Sequence, residues 1–192
     1  MRRIPPIPGP LALAILALGA GLACPETFAK VFLDPKAALV LAFGQDARVE
    51  RKAVFLTEAQ LAHARELAGK GVEVESALVT RYTGRSGTGT LLGTAYFDSH
   101  RVRTLPETVM IVVSPEGSVA RVEILAFTEP EEYKPRPAWL EQYRGRALDR
   151  EMALRRGVHG ITGATLSAEA VTAAVRRVLA IHAALAEGGD SR

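Results

Sequence analysis

Cysteine is almost missing from this chain: Cys24 is the only one. If the chain is cut after Ala29, the mature protein has none. No disulfide framework, cysteine-based zinc site or iron–sulfur cluster can then be built. Redox chemistry would need an organic cofactor, or a metal held by histidine and carboxylates. The histidines are few as well, and His63, His100, His159 and His182 show no metal-type spacing to one another or to Cys24. Long blocks of one charge are lacking. The net charge is only +3, and signs alternate, as in Arg48-Val49-Glu50-Arg51-Lys52. That pattern reads as a solvated surface and gives no ground for a nucleic-acid partner. No Ser/His/Asp arrangement, glycine-rich phosphate loop or internal repeat stands out.

What is present suffices for one domain. The chain has 192 residues, 48% of them hydrophobic, enough for a real core and too short for two ordinary domains. Its first 29 residues read as an export signal or N-terminal anchor. Arg2 and Arg3 precede the uncharged run Leu11 to Ala23, which is shorter than the roughly 20 residues of a membrane-spanning helix. Thr27 and Ala29 offer small residues for cleavage. Cleavage before Cys24 would give a lipoprotein, and Pro5, Pro6, Pro8 and Pro10 are unusual in a signal peptide. The expected division is a leader or anchor over 1–29, a domain over 30–187 and a frayed tail over 188–192.

Within the domain the pattern predicts an α+β fold. Helices are expected from Asp34 to Phe43, capped by Asp34 and stopped by Gly44, and from Glu58 to Ala68, capped by Thr57 in a capping box with Gln60. Val49 to Leu56, Glu75 to Thr83, Leu92 to Phe97, Thr108 to Val113 and Val119 to Phe127 have strand character, the last two joined at Pro115-Glu116-Gly117. This gives a mostly antiparallel sheet of four or five strands. A short helix from Pro137 to Tyr143 follows, then an ambiguous polar stretch from Leu148 to Arg156. The last helix is expected from about Ala168 to Ala186, with Val171, Val175, Val178 and Leu185 on its apolar stripe and Arg176 and Arg177 facing away.

The six residues Thr162-Gly163-Ala164-Thr165-Leu166-Ser167 precede that helix. Thr165 supplies a hydroxyl, and Gly163 and Ala164 leave it room. The orphan N–H groups at the helix start, with the positive end of the helix dipole, can hold a phosphate. Thr162 and Ser167 can donate further hydrogen bonds. The plain alternative is an ordinary N-cap.

Thr162-Gly163-Ala164-Thr165 resembles the attachment motif of the FMN-binding domain family. That family includes flavinylated components of the sodium-translocating NADH:quinone oxidoreductase and of the Rnf electron-transport complex. The order of elements is similar from about Leu78 to Leu185. The resemblance implies FMN carried covalently as a phosphoester on Thr165, which would be an attachment point with no catalytic role. It implies maturation by an exported, Mg²⁺-dependent FAD:protein FMN transferase, and membrane or periplasmic redox partners. The protein would be periplasmic or on the outer face of the cytoplasmic membrane, a redox component rather than a stand-alone enzyme. Glu129 and Pro130 lie where the family's acidic loop approaches the flavin, and Trp139 could stack on it. The family usually has Asp three residues before the first hydroxyl residue. Here that position is His159, which could hydrogen-bond the phosphate or the flavin edge. Two other readings stand beside this one: a module binding FMN or another phosphorylated ligand noncovalently, and an exported interaction domain without cofactor.

Overall fold

The computed structural model describes residues 30–188. The expected leader or anchor, Cys24 and all of the expected tail but Gly188 lie outside the described residues.

The described residues form six strands and four α-helices. The strands are β1 (Lys30–Val31), β2 (Arg48–Phe55), β3 (Leu78–Arg85), β4 (Leu91–Arg101), β5 (Pro106–Val113) and β6 (Val119–Phe127). The helices are α1 (Pro35–Phe43), α2 (Glu58–Ala68), α3 (Pro137–Leu140) and α4 (Thr165–Glu187). The strands make one antiparallel sheet in the order β1-β6-β5-β4-β3-β2. The class is α+β, as the sequence predicts, but the sheet has six strands instead of four or five. The unforeseen strand is β1, two exposed residues paired with Phe127 and Ala126 of β6, too short to show any alternation.

The apolar run of β5 is explained by cover on both faces of the sheet. Val109, Ile111 and Val113 pack with Val171 and Val175 of α4 and with Tyr143 beyond α3. Met110 and Val112 point the other way, to Ala38 of α1. The far end of α4 closes a second layer: Ala180, Ile181 and Ala184 meet Ala64 and Ala68 of α2. Asp34 caps α1 through Lys36 and Ala37, and the Thr57–Gln60 capping box forms as its spacing predicts.

Two expectations about α4 are corrected. It starts at Thr165, three residues earlier than expected, because the Ala168 N–H already bonds the Ala164 carbonyl at 3.1 Å. Arg176 and Arg177 do not face away into solvent. Arg176 donates to the Ala68 carbonyl at the end of α2 (2.8 and 3.0 Å) and to the Asp149 and Met152 carbonyls (3.0 and 2.9 Å). A cation there meets the negative end of the α2 dipole. With elements on several sides of α4, long stems are covered while their charged heads find carbonyls and carboxylates. The stretch from Leu148 to Arg156 is neither helix nor strand, and it buries Met152 against the core. Strand β3 begins at Leu78, three residues after Glu75. Among the described residues no helix is long and apolar enough to cross a membrane.

Candidate functional site

The N-terminus of α4 opens onto a cleft of about 240 Å³. Three chain segments wall it: Gly163 to Ser167, the tip of the β4–β5 hairpin at Val102 and Arg103, and Glu129 with Tyr133 after β6. Each segment is held there by local bonds. The hairpin tip closes through the Val102 N–H to the Leu105 carbonyl (3.1 Å). The Glu129 Oε1 then accepts from the Thr104 and Leu105 N–H groups, both at 3.3 Å, and so ties the tip to the segment following β6.

On the helix side, Gly163 turns the chain at φ +81°, a conformation that side-chain-bearing residues avoid. A Cβ there would meet nothing within 4 Å, so the glycine is required by backbone conformation more than by clearance. Ala164 is the N-cap residue and no side chain caps the helix. The N–H groups of Thr165, Leu166 and Ser167 precede the first intrahelical bond, and all three residues line the cleft. Thr165 is exposed and Ser167 is buried. Arg103, across the cleft, is exposed and makes no ion pair among the described residues. Unpaired N–H donors, a hydroxyl, a helix dipole and a guanidinium form a donor set that fits a phosphate group.

The structure thus brings together Gly163, Ala164, Thr165, Leu166, Ser167 and Glu129 from the residues singled out in the sequence. Thr162, Pro130, His159 and Trp139 do not line this cleft. Trp139 donates its Nε1–H to the His159 carbonyl at 2.8 Å and packs edge-on against Tyr143, with ring centroids 5.6 Å apart. The His159 N–H in turn donates to Gln142 Oε1 at 2.8 Å. Trp139 and Gln142 therefore bolt the segment leading into the motif onto α3 and the turn after it. The Tyr143 hydroxyl bonds Thr172 at 2.7 Å, which fixes that turn to α4. Val102, Arg103 and Tyr133 carry no local signal that would single them out. In the sequence Arg103 is only one of several basic residues near His100, and nothing nearby marks Val102 or Tyr133.

His100, beside Arg101 and near Arg103 in the sequence, is engaged in a buried ionic cluster. Its Nδ1 lies 2.8 Å from Asp98 Oδ1 and its Nε2 3.0 Å from Glu107 Oε2. Arg177 of α4 holds Asp98 from the other side at 3.1 Å. Burial alone would depress the imidazole, but its bonds to Asp98 and Glu107 and their charges push it up to about 9. Burial raises the Glu107 carboxyl against the pull of His100. Among the described residues no cluster of histidine, cysteine, aspartate and glutamate is placed to hold a metal ion.

Comparison with known proteins agrees with this geometry. Residues 105–180 match the family model of the FMN-binding domain. The matched span begins at the end of the β4–β5 tip, takes in β5, β6, α3 and the whole Thr162–Ser167 stretch, and ends within α4. No curated protein matches the chain. Residues 105–180 are thus identified as an FMN-binding domain, which supports reading the protein as an FMN-binding flavoprotein.

Proposed function

We propose that FMN is carried covalently on Thr165, and that the protein is an exported electron carrier. One observation carries the covalent part: Thr165 presents an exposed side chain at the first position of a helix that no side chain caps, facing a cleft with Arg103 on its opposite wall. In the attachment step the Thr165 Oγ1 bonds to the FMN phosphorus of FAD. The pyrophosphate bond breaks, AMP leaves, and the hydroxyl proton is released. An FAD:protein FMN transferase is the proposed catalyst.

The remaining groups act on the phosphodiester that results. The N–H groups of Leu166 and Ser167 donate toward it, the helix dipole favours its charge, and Arg103 offsets that charge from the hairpin tip. Glu129 holds the tip in place, so its contribution to the site is positional. Bound flavin supplies reversible electron acceptance, and the protein supplies position and polarity. Export is proposed from the leader-like residues 1–29, and a tether suits a compartment where lost FMN is not readily replaced. Membrane or periplasmic redox proteins are the proposed partners.

The test is co-expression with an active FAD:protein FMN transferase, read as flavin fluorescence in a denaturing gel. The unmodified sequence should give a fluorescent band, and Thr165→Val should remove it. A band that survives the substitution, or no band from the unmodified sequence, overturns covalent attachment at Thr165.

A further inference from the structure

The cleft at Thr165 is too small for a whole flavin. Its 240 Å³ falls below the roughly 300–1,000 Å³ typical of sites that enclose a small molecule. It suits the phosphate and part of the ribityl chain, which leaves the ring to be placed.

A larger cleft of about 720 Å³ lies farther along the same helix. Ala170, Ala173, Arg177 and Ile181 line it from α4, and Leu166 lines the smaller cleft. These five positions follow one another at steps of three or four residues, so they form one continuous stripe on the helix. Strand β4 runs beside α4 in the opposite direction. Tyr96 bonds His182 at 2.9 Å, Asp98 bonds Arg177 at 3.1 Å, and Val102 and Arg103 share the smaller cleft with Thr165. The two clefts are therefore successive stretches of one seam between α4 and β4. Helix rise puts Ala173 about 12 Å along the axis from Thr165, a span matched to a ribityl chain followed by a tricyclic ring.

The walls fit such a ring. Ala170 and Ala173 are half-buried and keep the helix side of the cleft shallow, where longer side chains would fill it. Val79, Val178 and Ile181 give it apolar surface, and Asp98, His100 and Arg177 give it polar groups. An isoalloxazine has the same division, with an apolar dimethylbenzene end and a polar pyrimidine end.

We infer that the isoalloxazine ring of the flavin on Thr165 lies in this larger cleft, over Ala170 and Ala173, with Arg177 toward its far end. This rests on the reading of Thr165 as the attachment residue. Arg177 is then a positioning residue that keeps the cleft wall in place through Asp98 and the Glu73 carbonyl (3.3 Å).

Ala170→Leu and Ala173→Leu test this in the flavinylated protein, with Ala186→Leu as a control at an exposed α4 position outside both clefts. Leucine keeps helix propensity. The readouts are iodide quenching of flavin fluorescence and visible circular dichroism. Both cleft variants should keep the labelled fraction on a denaturing gel, while their quenching constants rise several-fold and the visible dichroism collapses. The control should match the unmodified protein. Unchanged quenching and dichroism in both cleft variants overturn the placement. So does a ring in the unmodified protein as accessible to iodide as free FMN, a result that needs no variant to fold. If the unmodified chain takes up no covalent flavin, the attachment reading fails separately. Titration of free FMN then decides the ring site: a several-fold weaker binding by Ala173→Leu than by Ala186→Leu supports it, and equal binding overturns it.

Discussion

At Gly93 a single methyl group is enough to disturb the centre of the sheet. The residue sits in β4 at φ +146°, and a Cβ built there would stand 2.6 Å from the Val113 carbonyl oxygen of β5. That oxygen is backbone in a paired strand, so it cannot swing aside as a flexible side chain can. Gly93→Ala should cost about 1–3 kcal/mol from backbone strain alone, read as a lower urea midpoint. A midpoint equal to that of the unmodified protein would show that the strand pair shifts without cost. The same scale separates what the motif reveals from what it hides. Thr165 was legible because its chemistry is local: a hydroxyl, two small residues and a helix start lie within one short stretch. Arg103 was not, because its position opposite Thr165 depends on where the hairpin tip is carried. Trp139 lies outside the Thr165 cleft, where its ring packs edge-on against Tyr143 and its indole N–H bonds the His159 carbonyl, a contact across the fold that no local pattern reveals.

Helix ends with side-chain signals were predicted well, and the end without one was not. The spacing of Thr57 and Gln60 marks the start of α2, and both bonds of the capping box form. Thr57→Ala should therefore lower stability by about 1 kcal/mol, seen as a reduced thermal midpoint with flavin attachment unaffected. Loss of the labelled fraction in that variant would mean that α2 bears on the site, contrary to its distance from the motif in the fold. The start of α4 has an alanine at the cap, and its three-residue displacement from the expected position follows from that silence. The two-residue β1 carries no pattern of its own and exists only as an edge partner of β6. Arg176 and Arg177 were misplaced for a related reason. Helical periodicity gives the face a residue lies on, and it does not say that α2 and β4 will be waiting on that face.

Across the whole molecule, the cluster of Asp98, His100, Glu107 and Arg177 joins β4, β5 and α4, and two of these elements, β4 and α4, line the larger cleft. Tyr143, beyond α3, feels the charge of Glu107 as well. His100 and Glu107 both hold their protons more tightly in the folded protein. Their contribution to stability is thus present at low pH and lost as pH rises. For His100 the window opens above its ordinary value of 6.5 and closes as pH passes about 9. Neutralising the imidazole there should cost on the order of 3 kcal/mol, and Glu107 adds a loss of the same sign beginning above 4.5. The thermal midpoint should fall across this range, and His100→Gln should flatten its His100 part. A midpoint that stays level from neutral pH to beyond pH 9 in the unmodified protein would rule this out.

The sequence by itself determined the α+β class, the capped helices, the β5–β6 hairpin and the motif around Thr165, because each is written in contacts between near neighbours along the chain. Tertiary structure alone decided the cation facing Thr165, the ionic cluster around His100 and the seam that runs from Thr165 along α4. Those depend on which strand lies beside which helix, and that choice is made by burial of both faces of the sheet rather than by any local pattern.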